Sequence, residues 1–314
     1  MKHTFLIKAF LILTILAVPT QATPQFPTEF PDGANVLFAG HSFFIPVAAS
    51  FNVLATGNGY PSHQMDSVFS SGASGSPRQL WENEDKRQLI TDKLSSGQVE
   101  LFGLTSFGEV ASTFEDYQRW FDLALTYNPD TTFYIGTPWI FGGPTMETAT
   151  YDQSIEDVGE IIFDVVVELR EAYPDNTIVY LNYGKVASIM KYAYEAGNLP
   201  DIKGLVPDPQ NGVSPEEALF ADSLMGHAGP MMTELCALTW ISALYGADLN
   251  NLVYTDYQSD VISILNEALH FNLPYQHLPM PTIMINDTIG PVQVTTGTSI
   301  GIDIGLFSTA LTEQ

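Results

Sequence analysis

Short apolar runs alternate with longer helix-compatible segments along most of the chain. The runs are rich in β-branched or aromatic residues and comprise Val36 to Ala39, Met65 to Phe69, Val99 to Leu104, Thr132 to Thr137 and Thr177 to Asn182. Strands that alternate with helices pair in parallel, and runs that are apolar throughout are typical of strands covered on both faces. The pattern therefore predicts an α/β fold, a three-layer α/β/α sandwich around a five-stranded parallel sheet.

The segments between these runs predict helices at Ile45 to Ala55, Arg78 to Leu94, Phe114 to Tyr127 and Ser154 to Tyr173. The acids of the fourth segment follow a helical period opposite its apolar stripe, which predicts a solvated face and not a calcium loop. Helical spacing in "TELCALTWISALYG" predicts a further helix that buries Cys236. Because Cys236 is the single cysteine, no internal disulfide or thiolate metal cluster is expected.

The amino terminus has the organisation of a secretory signal peptide over residues 1–22. An apolar run from Ala9 to Val18 is too short to span a bilayer, which takes roughly 20 residues. Removing residues 1–22 takes away Lys2 and Lys8 from 11 basic residues and none of the 36 acids, which leaves a net charge of −27. So acidic a chain disfavours nucleic acid as a partner. We expect a secreted or periplasmic protein that does not insert into the membrane after signal cleavage.

The carboxyl-terminal part of the chain has a different pattern. From Pro279 onward the helical stripe is lost, and "VQVTTGTSIGIDI" alternates in the manner of antiparallel β structure. We therefore predict a signal peptide at 1–22, an α/β domain at 23–280 and a short β-rich segment at 281–314. That segment is either an edge hairpin of the main domain or the start of a further β module.

The stretch "NVLFAGHSFF" carries the first predicted strand into a turn that contains Ser42. In open parallel sheets, ligands bind beyond the carboxyl ends of the strands. Gly40 permits a tight turn, and the following helix directs free backbone N–H groups towards whatever binds at Ser42. Serine is also a favoured N-cap residue, so Ser42 is interpreted either as a nucleophile or as a helix cap.

Two further loops contain residues suited to nucleophilic catalysis. In "SVFSSGASGSPRQLW", the amide of Gly72 could donate to an oxyanion. The same residues are also consistent with a flexible Gly-Ser loop that has no catalytic role. In "ADSLMGHAGPMM", His227 stands just ahead of a helix that starts at Pro230, and Asp222 could fix its tautomer. The other histidines have no metal-ligand spacing, so we predict no zinc site and no cofactor.

Taken together, "GHSFF", "GASGSPRQLW" and the late Asp/His loop before "LTWISALYG" resemble the SGNH, or GDSL-type, serine hydrolases over Asn35 to Gly246. The resemblance implies a flavodoxin-like sheet of order 2-1-3-4-5 and the metal-free activity of an esterase, lipase or carbohydrate deacetylase. It implies that Ser42 is the nucleophile and that the amides of Ser42 and Gly72 bind the oxyanion. It further implies that His227 is the base and that Asp222 orients it.

The chain departs from the family pattern in two places. The usual asparagine after the third strand is missing from "VELFGLTSFGE", where Thr105, Ser106 or no residue takes its place as an oxyanion donor. The family's acid stands three residues before the histidine, where this chain has Leu224. Either Asp222 reaches the histidine from further back, or the site is a Ser-His dyad. Because loss of one oxyanion donor lowers the rate about 10²- to 10³-fold, a slow or inactive member is also consistent with the sequence.

Two functions fit these features best, and a structural surface protein whose tail leads into other β modules is a further alternative. The first is an exported serine hydrolase that cleaves a carboxylic ester, of a small molecule or of an acylated polysaccharide, through an acyl-enzyme. The second is a catalytically inactive carbohydrate- or ligand-binding surface protein on the same fold. In that second interpretation Trp81, Trp139 and Tyr183 are platforms for sugar rings.

Overall fold

The computed structural model describes Phe26 and residues 30–107 and 112–276. These residues all fall within one unit of the chain, Met1–Pro279. The predicted signal peptide at 1–22 and the predicted β-rich segment at 281–314 lie outside the described residues, so both stay predictions. Among the described residues, no helix combines the length and the apolar character needed to cross a membrane.

Five parallel strands form the central sheet. They are β1 (Asn35–Gly40), β2 (Gln64–Phe69), β3 (Leu101–Thr105), β4 (Thr132–Thr137) and β5 (Ile178–Asn182). The strand order is β2-β1-β3-β4-β5 with every neighbouring pair parallel, which confirms the predicted α/β sandwich and its 2-1-3-4-5 order. Because all strands run the same way, the loops that follow them meet at one edge of the sheet.

Eight α-helices cover the sheet within the described residues. They are α1 (Ile45–Gly57), α2 (Pro77–Glu82), α3 (Glu84–Leu94), α4 (Phe114–Tyr127), α5 (Thr148–Ala172), α6 (Lys185–Glu195), α7 (Pro230–Tyr245) and α8 (Val261–Asn272). Helices α2 to α5 pack on one face of the sheet. Helices α1, α6, α7 and α8 pack on the other, together with the first turns of α5. Each face therefore has its own apolar core.

The helix boundaries differ from the prediction in informative ways. The segment predicted as one helix from Arg78 to Leu94 is two, because Asn83 is extended and its side chain accepts the Lys86 N–H as the cap of α3. Neither α6 nor α8 is among the helices predicted from the sequence. In α6, Val186, Ile189 and Met190 follow a helical period, and two charged residues, Lys185 and Lys191, are buried on the same helix.

Helix α7 lies against the middle of the sheet and beside α1. The ring of Trp240 contacts Phe38 of β1, Phe44 before α1 and Tyr134 of β4, with centroids 4.8 to 5.3 Å apart. Cys236, on the same helix, is fully buried as predicted, and burial raises the pKa of its thiol. This packing brings the loop before α7 to the edge of the sheet where β1 ends.

Candidate active site

Ser42 lies in the turn between β1 and α1. Helix α1 begins at Ile45, its N-cap is Phe44, and no side chain caps it, so the interpretation of Ser42 as a helix cap is wrong. The Ser42 hydroxyl instead lies 2.9 Å from Nε2 of His227. The N–H groups of Phe44 and Ile45 both donate to the carbonyl of His41, which holds the turn in shape.

Asp222 is the centre of the loop that carries His227. Its Oδ2 lies 2.6 Å from Nδ1 of His227, and its Oδ1 accepts the N–H groups of Leu224, Met225 and Gly226. The loop thus wraps around the carboxylate, which is how an acid five residues before the histidine can reach it. Partial burial raises the pKa of Asp222, but the hydrogen bonds from His227, Met225 and Gly226 outweigh it and hold that pKa at about 2.

The three side chains form one hydrogen-bonded chain with a defined direction. Because Asp222 is ionised, Nδ1 of His227 carries a hydrogen and donates a hydrogen bond to the carboxylate. Nε2 is then the free acceptor, and the Ser42 hydroxyl donates to it. The arrangement suits removal of the serine proton during attack on a carbonyl carbon.

Aromatic side chains behind the site hold the His227 loop in place. The indole N–H of Trp139 donates to the carbonyl of Gly226 at 2.8 Å, and the Phe43 ring stacks on the same indole with centroids 4.9 Å apart. The hydroxyl of Tyr183 donates to the carbonyl of Phe43. Trp139 is 2% exposed and Tyr183 is fully buried, so the prediction that they are sugar platforms is wrong.

The third aromatic residue of that alternative, Trp81, lies on α2 in edge-to-face contact with Trp120. It is partly buried, and Arg87 lies over its ring. A single packed indole on α2 makes a poor sugar platform, so the inactive binding protein loses its specific support.

The loop after β2 contains two glycines, one of which packs against the Ser42 turn. Gly72 adopts a φ of +52°, which favours glycine, and a Cβ there would meet nothing within 4 Å. Its N–H makes no hydrogen bond to any residue the structure describes, so the amide is free to donate. Gly75 was not predicted to matter, yet a Cβ there would lie 2.7 Å from the carbonyl carbon of Gly40 and from the amide nitrogen of His41. Only glycine at position 75 lets this loop close on the Ser42 turn.

Replacing Gly75 with alanine should therefore push the Gly72 loop away from the Ser42 turn. If the proposed oxyanion donors separate, we expect kcat on a chromogenic ester to fall about 10²-fold, in line with the loss of one donor. Gly57→Ala at the end of α1 is the matched control, because a Cβ there meets nothing within 4 Å. Wild-type kcat in a folded Gly75→Ala protein would contradict this role.

Thr105, at the end of β3, was predicted as an oxyanion donor, and its hydrogen bonding excludes that role. Thr105 is fully buried, and its hydroxyl donates to the carbonyl of Gly136 at 2.9 Å. Thr105 therefore has no hydroxyl proton to offer an oxyanion, which corrects its assignment to the oxyanion site. The hydroxyl of Ser106 is buried and has no partner among the described residues.

His41, which the sequence analysis did not assign to the site, connects the Ser42 turn to the β3 loop. Its Nε2–H donates to the carbonyl of Ser106 at 2.8 Å, and its Nδ1 accepts the N–H of Phe43 at 3.2 Å. Burial is the main cause that lowers the pKa of His41 to about 4, although its bond to Ser106 opposes the shift. The ring is thus neutral above that pH. Its place beside Ser42 was the only sequence signal that could have indicated this role.

Comparison with known proteins finds distant structural likenesses. No protein-family model matches the chain, and no curated protein matches it. A DUF4886 family protein from Bacteroides uniformis is similar at 12% identity and a TM-score of 0.48, over 77% of this chain and 95% of that one. The periplasmic domain of a Salmonella Paratyphi A lipopolysaccharide acetyltransferase is similar at 11% identity and a TM-score of 0.35, over 68% and 84% of the two chains. Both are too distant to assign an activity.

Proposed function

We propose that this protein is an exported serine esterase that hydrolyses carboxylic esters through an acyl-enzyme on Ser42. The observation that supports it is the hydrogen-bonded chain from Asp222 through His227 to Ser42, with distances of 2.6 and 2.9 Å. These three side chains lie beyond the carboxyl ends of the strands, which is where ligands bind in open parallel sheets. The geometry fits a triad better than the Ser-His dyad, since Asp222 reaches the histidine.

Each step of the proposed reaction uses one member of the site. His227 Nε2 takes the Ser42 proton as Oγ attacks the ester carbonyl carbon, and the amides of Ser42 and Gly72 donate to the oxyanion. His227 then returns the proton to the oxygen of the leaving alcohol, which departs. Water next gives a proton to His227 and attacks the acyl carbon, and the carboxylic acid leaves as Ser42 regains its proton.

An ester suits this site better than an amide. Two backbone amides are the donors that the described residues offer to the oxyanion, and such a sparse site favours an alcohol as leaving group over a poorer amine. The substrate is an ester of a small molecule or an acylated polysaccharide, and the reaction as written needs no cofactor.

Labelling with a fluorophosphonate tests the proposal directly. We expect the full chain to hydrolyse 4-nitrophenyl butyrate and to take up one phosphonate, which peptide mass spectrometry maps to Ser42. Ser42→Ala should abolish both, whereas Ser67→Ala, an exposed serine on β2, should abolish neither. A wild-type chain that shows neither turnover nor labelling would refute the esterase and leave only the fold.

A further inference from the structure

A cleft of about 240 Å³ opens beside Ser42. Its walls come from His41 and Phe43 on either side of Ser42, from Ser106 and Phe107 after β3, from residues 138–141 after β4, and from Val158 of α5. A cavity that begins at the neighbours of the nucleophile is placed to receive one part of a substrate attached to Ser42.

Among the residues that the structure describes, the lining of the cleft is mainly aromatic and contains no acidic or basic side chain apart from His41. The rings of Phe43, Phe107, Trp139 and Phe141 contact one another along it, with Phe107 and Phe141 5.5 Å apart and Phe43 and Phe141 5.2 Å apart. His41 is neutral above about pH 4, because burial lowers its pKa, and its Nε2–H is already donated to a carbonyl. A charged group entering this cleft would lose its hydration without gaining a partner.

Besides His41, Ser106 is the other polar residue in the part of the lining that the structure describes. Ser106 is fully buried, lines the cleft, and its hydroxyl has no partner among the described residues. Because its oxygen is itself buried, the Ser106 hydroxyl is a neutral part of the wall. A neutral hydroxyl does not balance the charge of a ligand.

The position of Phe43 indicates which part of the ester enters. Its ring lies 5.1 Å from the imidazole of His227 and 5.2 Å from the ring of Phe141, which lines the cleft. His227 is not part of the cleft wall. Because His227 must reach the leaving oxygen to protonate it, the alcohol lies on the imidazole side and the acyl group on the cleft side.

We infer that this cleft is the acyl-binding site, and that it selects an uncharged apolar acyl group such as a short aliphatic chain or a phenyl ring. The inference rests on the proposed esterase function and adds the substrate class to it. Each methylene that leaves water for the cleft should raise kcat/KM by up to about fourfold. An acyl group that ends in a carboxylate should be a poor substrate.

A series of esters tests the class of acyl group. With the full chain, we expect kcat/KM to rise at least tenfold from 4-nitrophenyl acetate to the hexanoate, and the hemisuccinate to fall below the butyrate. Ethyl and hexyl acetate should differ by less than twofold, because their variable part is the alcohol. A flat acyl series, a good hemisuccinate, or chain-length selection in the alcohol would each overturn the inference.

A pair of variants on α5 tests the location. Val158→Trp should narrow the cleft and lower kcat/KM for the hexanoate at least tenfold, with less than a twofold change for the acetate. Ile161→Trp is the matched control, since Ile161 lies on the same helix, is 58% exposed and does not line the cleft. Equal losses on both esters, or no loss in Val158→Trp, would place the acyl group elsewhere.

Binding of an unreactive amide distinguishes failure of the acyl-binding site from failure of the esterase. Hexanamide should bind the Ser42→Ala protein saturably, as seen in the broadening of its methyl resonance, and Val158→Trp should weaken that binding at least tenfold. In one outcome, hexanamide binds while the wild-type chain neither hydrolyses esters nor reacts with fluorophosphonate. That result would refute the esterase function but support an apolar binding site in the cleft. Turnover and labelling without hexanamide binding would refute the site and keep the esterase.

Discussion

Replacing Ser42 or His227 with alanine should lower kcat for a chromogenic ester by about 10⁶-fold, close to the rate that oxyanion binding alone supports. The reason is that Oγ of Ser42 and Nε2 of His227 share one proton across 2.9 Å, so neither can act without the other. The double variant should then be no slower than either single variant. Stopped-assay kinetics on purified proteins measure all three rates.

The control for this pair is His270→Ala, because His270 lies exposed on α8. It should keep wild-type kcat. If the losses in Ser42→Ala and His227→Ala multiplied in the double variant, the two residues would act independently, and the proposed proton transfer between them would be wrong.

Replacing Asp222 with asparagine should lower kcat by about 10⁴-fold while leaving the loop folded. The asparagine oxygen can still accept the N–H groups of Leu224, Met225 and Gly226. Its NH₂ group would face Nδ1 of His227 and donate to it, which moves the ring proton to Nε2. The imidazole could then no longer take the Ser42 proton. Steady-state kinetics, with thermal unfolding of the same sample, check both statements.

Asp222→Ala separates the two roles of this carboxylate. It should lose activity as Asp222→Asn does, and should also lower the midpoint of thermal unfolding, because four loop amides lose their acceptor. The pKa of Asp222 is depressed to about 2, below the ordinary value for aspartate. Its contribution to stability is therefore present above about pH 4 and lost as pH falls through about 2.

The difference in midpoint between wild type and Asp222→Ala should thus be constant from pH 5 to 8 and shrink in acid below about pH 4. A difference that grew on acidification would mean that the carboxylate does not accept these bonds in its ionised form. Full activity in Asp222→Asn would mean that Ser42 and His227 work as a dyad.

Local patterns were sufficient for the fold class and for much of the secondary structure. Strand β4 and helix α4 begin and end at the predicted residues, because unbroken apolar runs and a regular helical period are properties of neighbouring residues. The prediction was poorer where a side-chain cap divides a helix, as at Asn83, and it did not include α6 or α8. The strand order came from the resemblance to a known family and was confirmed by the pairing.

The site shows the same division between local and long-range information. The sequence by itself determined which residue types stand after β1, after β2 and before α7, and so which side chains were candidates. Whether Ser42 meets His227 depends on a contact across 185 positions, which no local pattern contains. Likewise, two contacts form only when neighbouring strands pair. They are the hydrogen bond from the Thr105 hydroxyl to the Gly136 carbonyl and the close packing of Gly75 against Gly40. Tertiary structure decided these points, because hydrogen bonds and close contacts depend on distance in space.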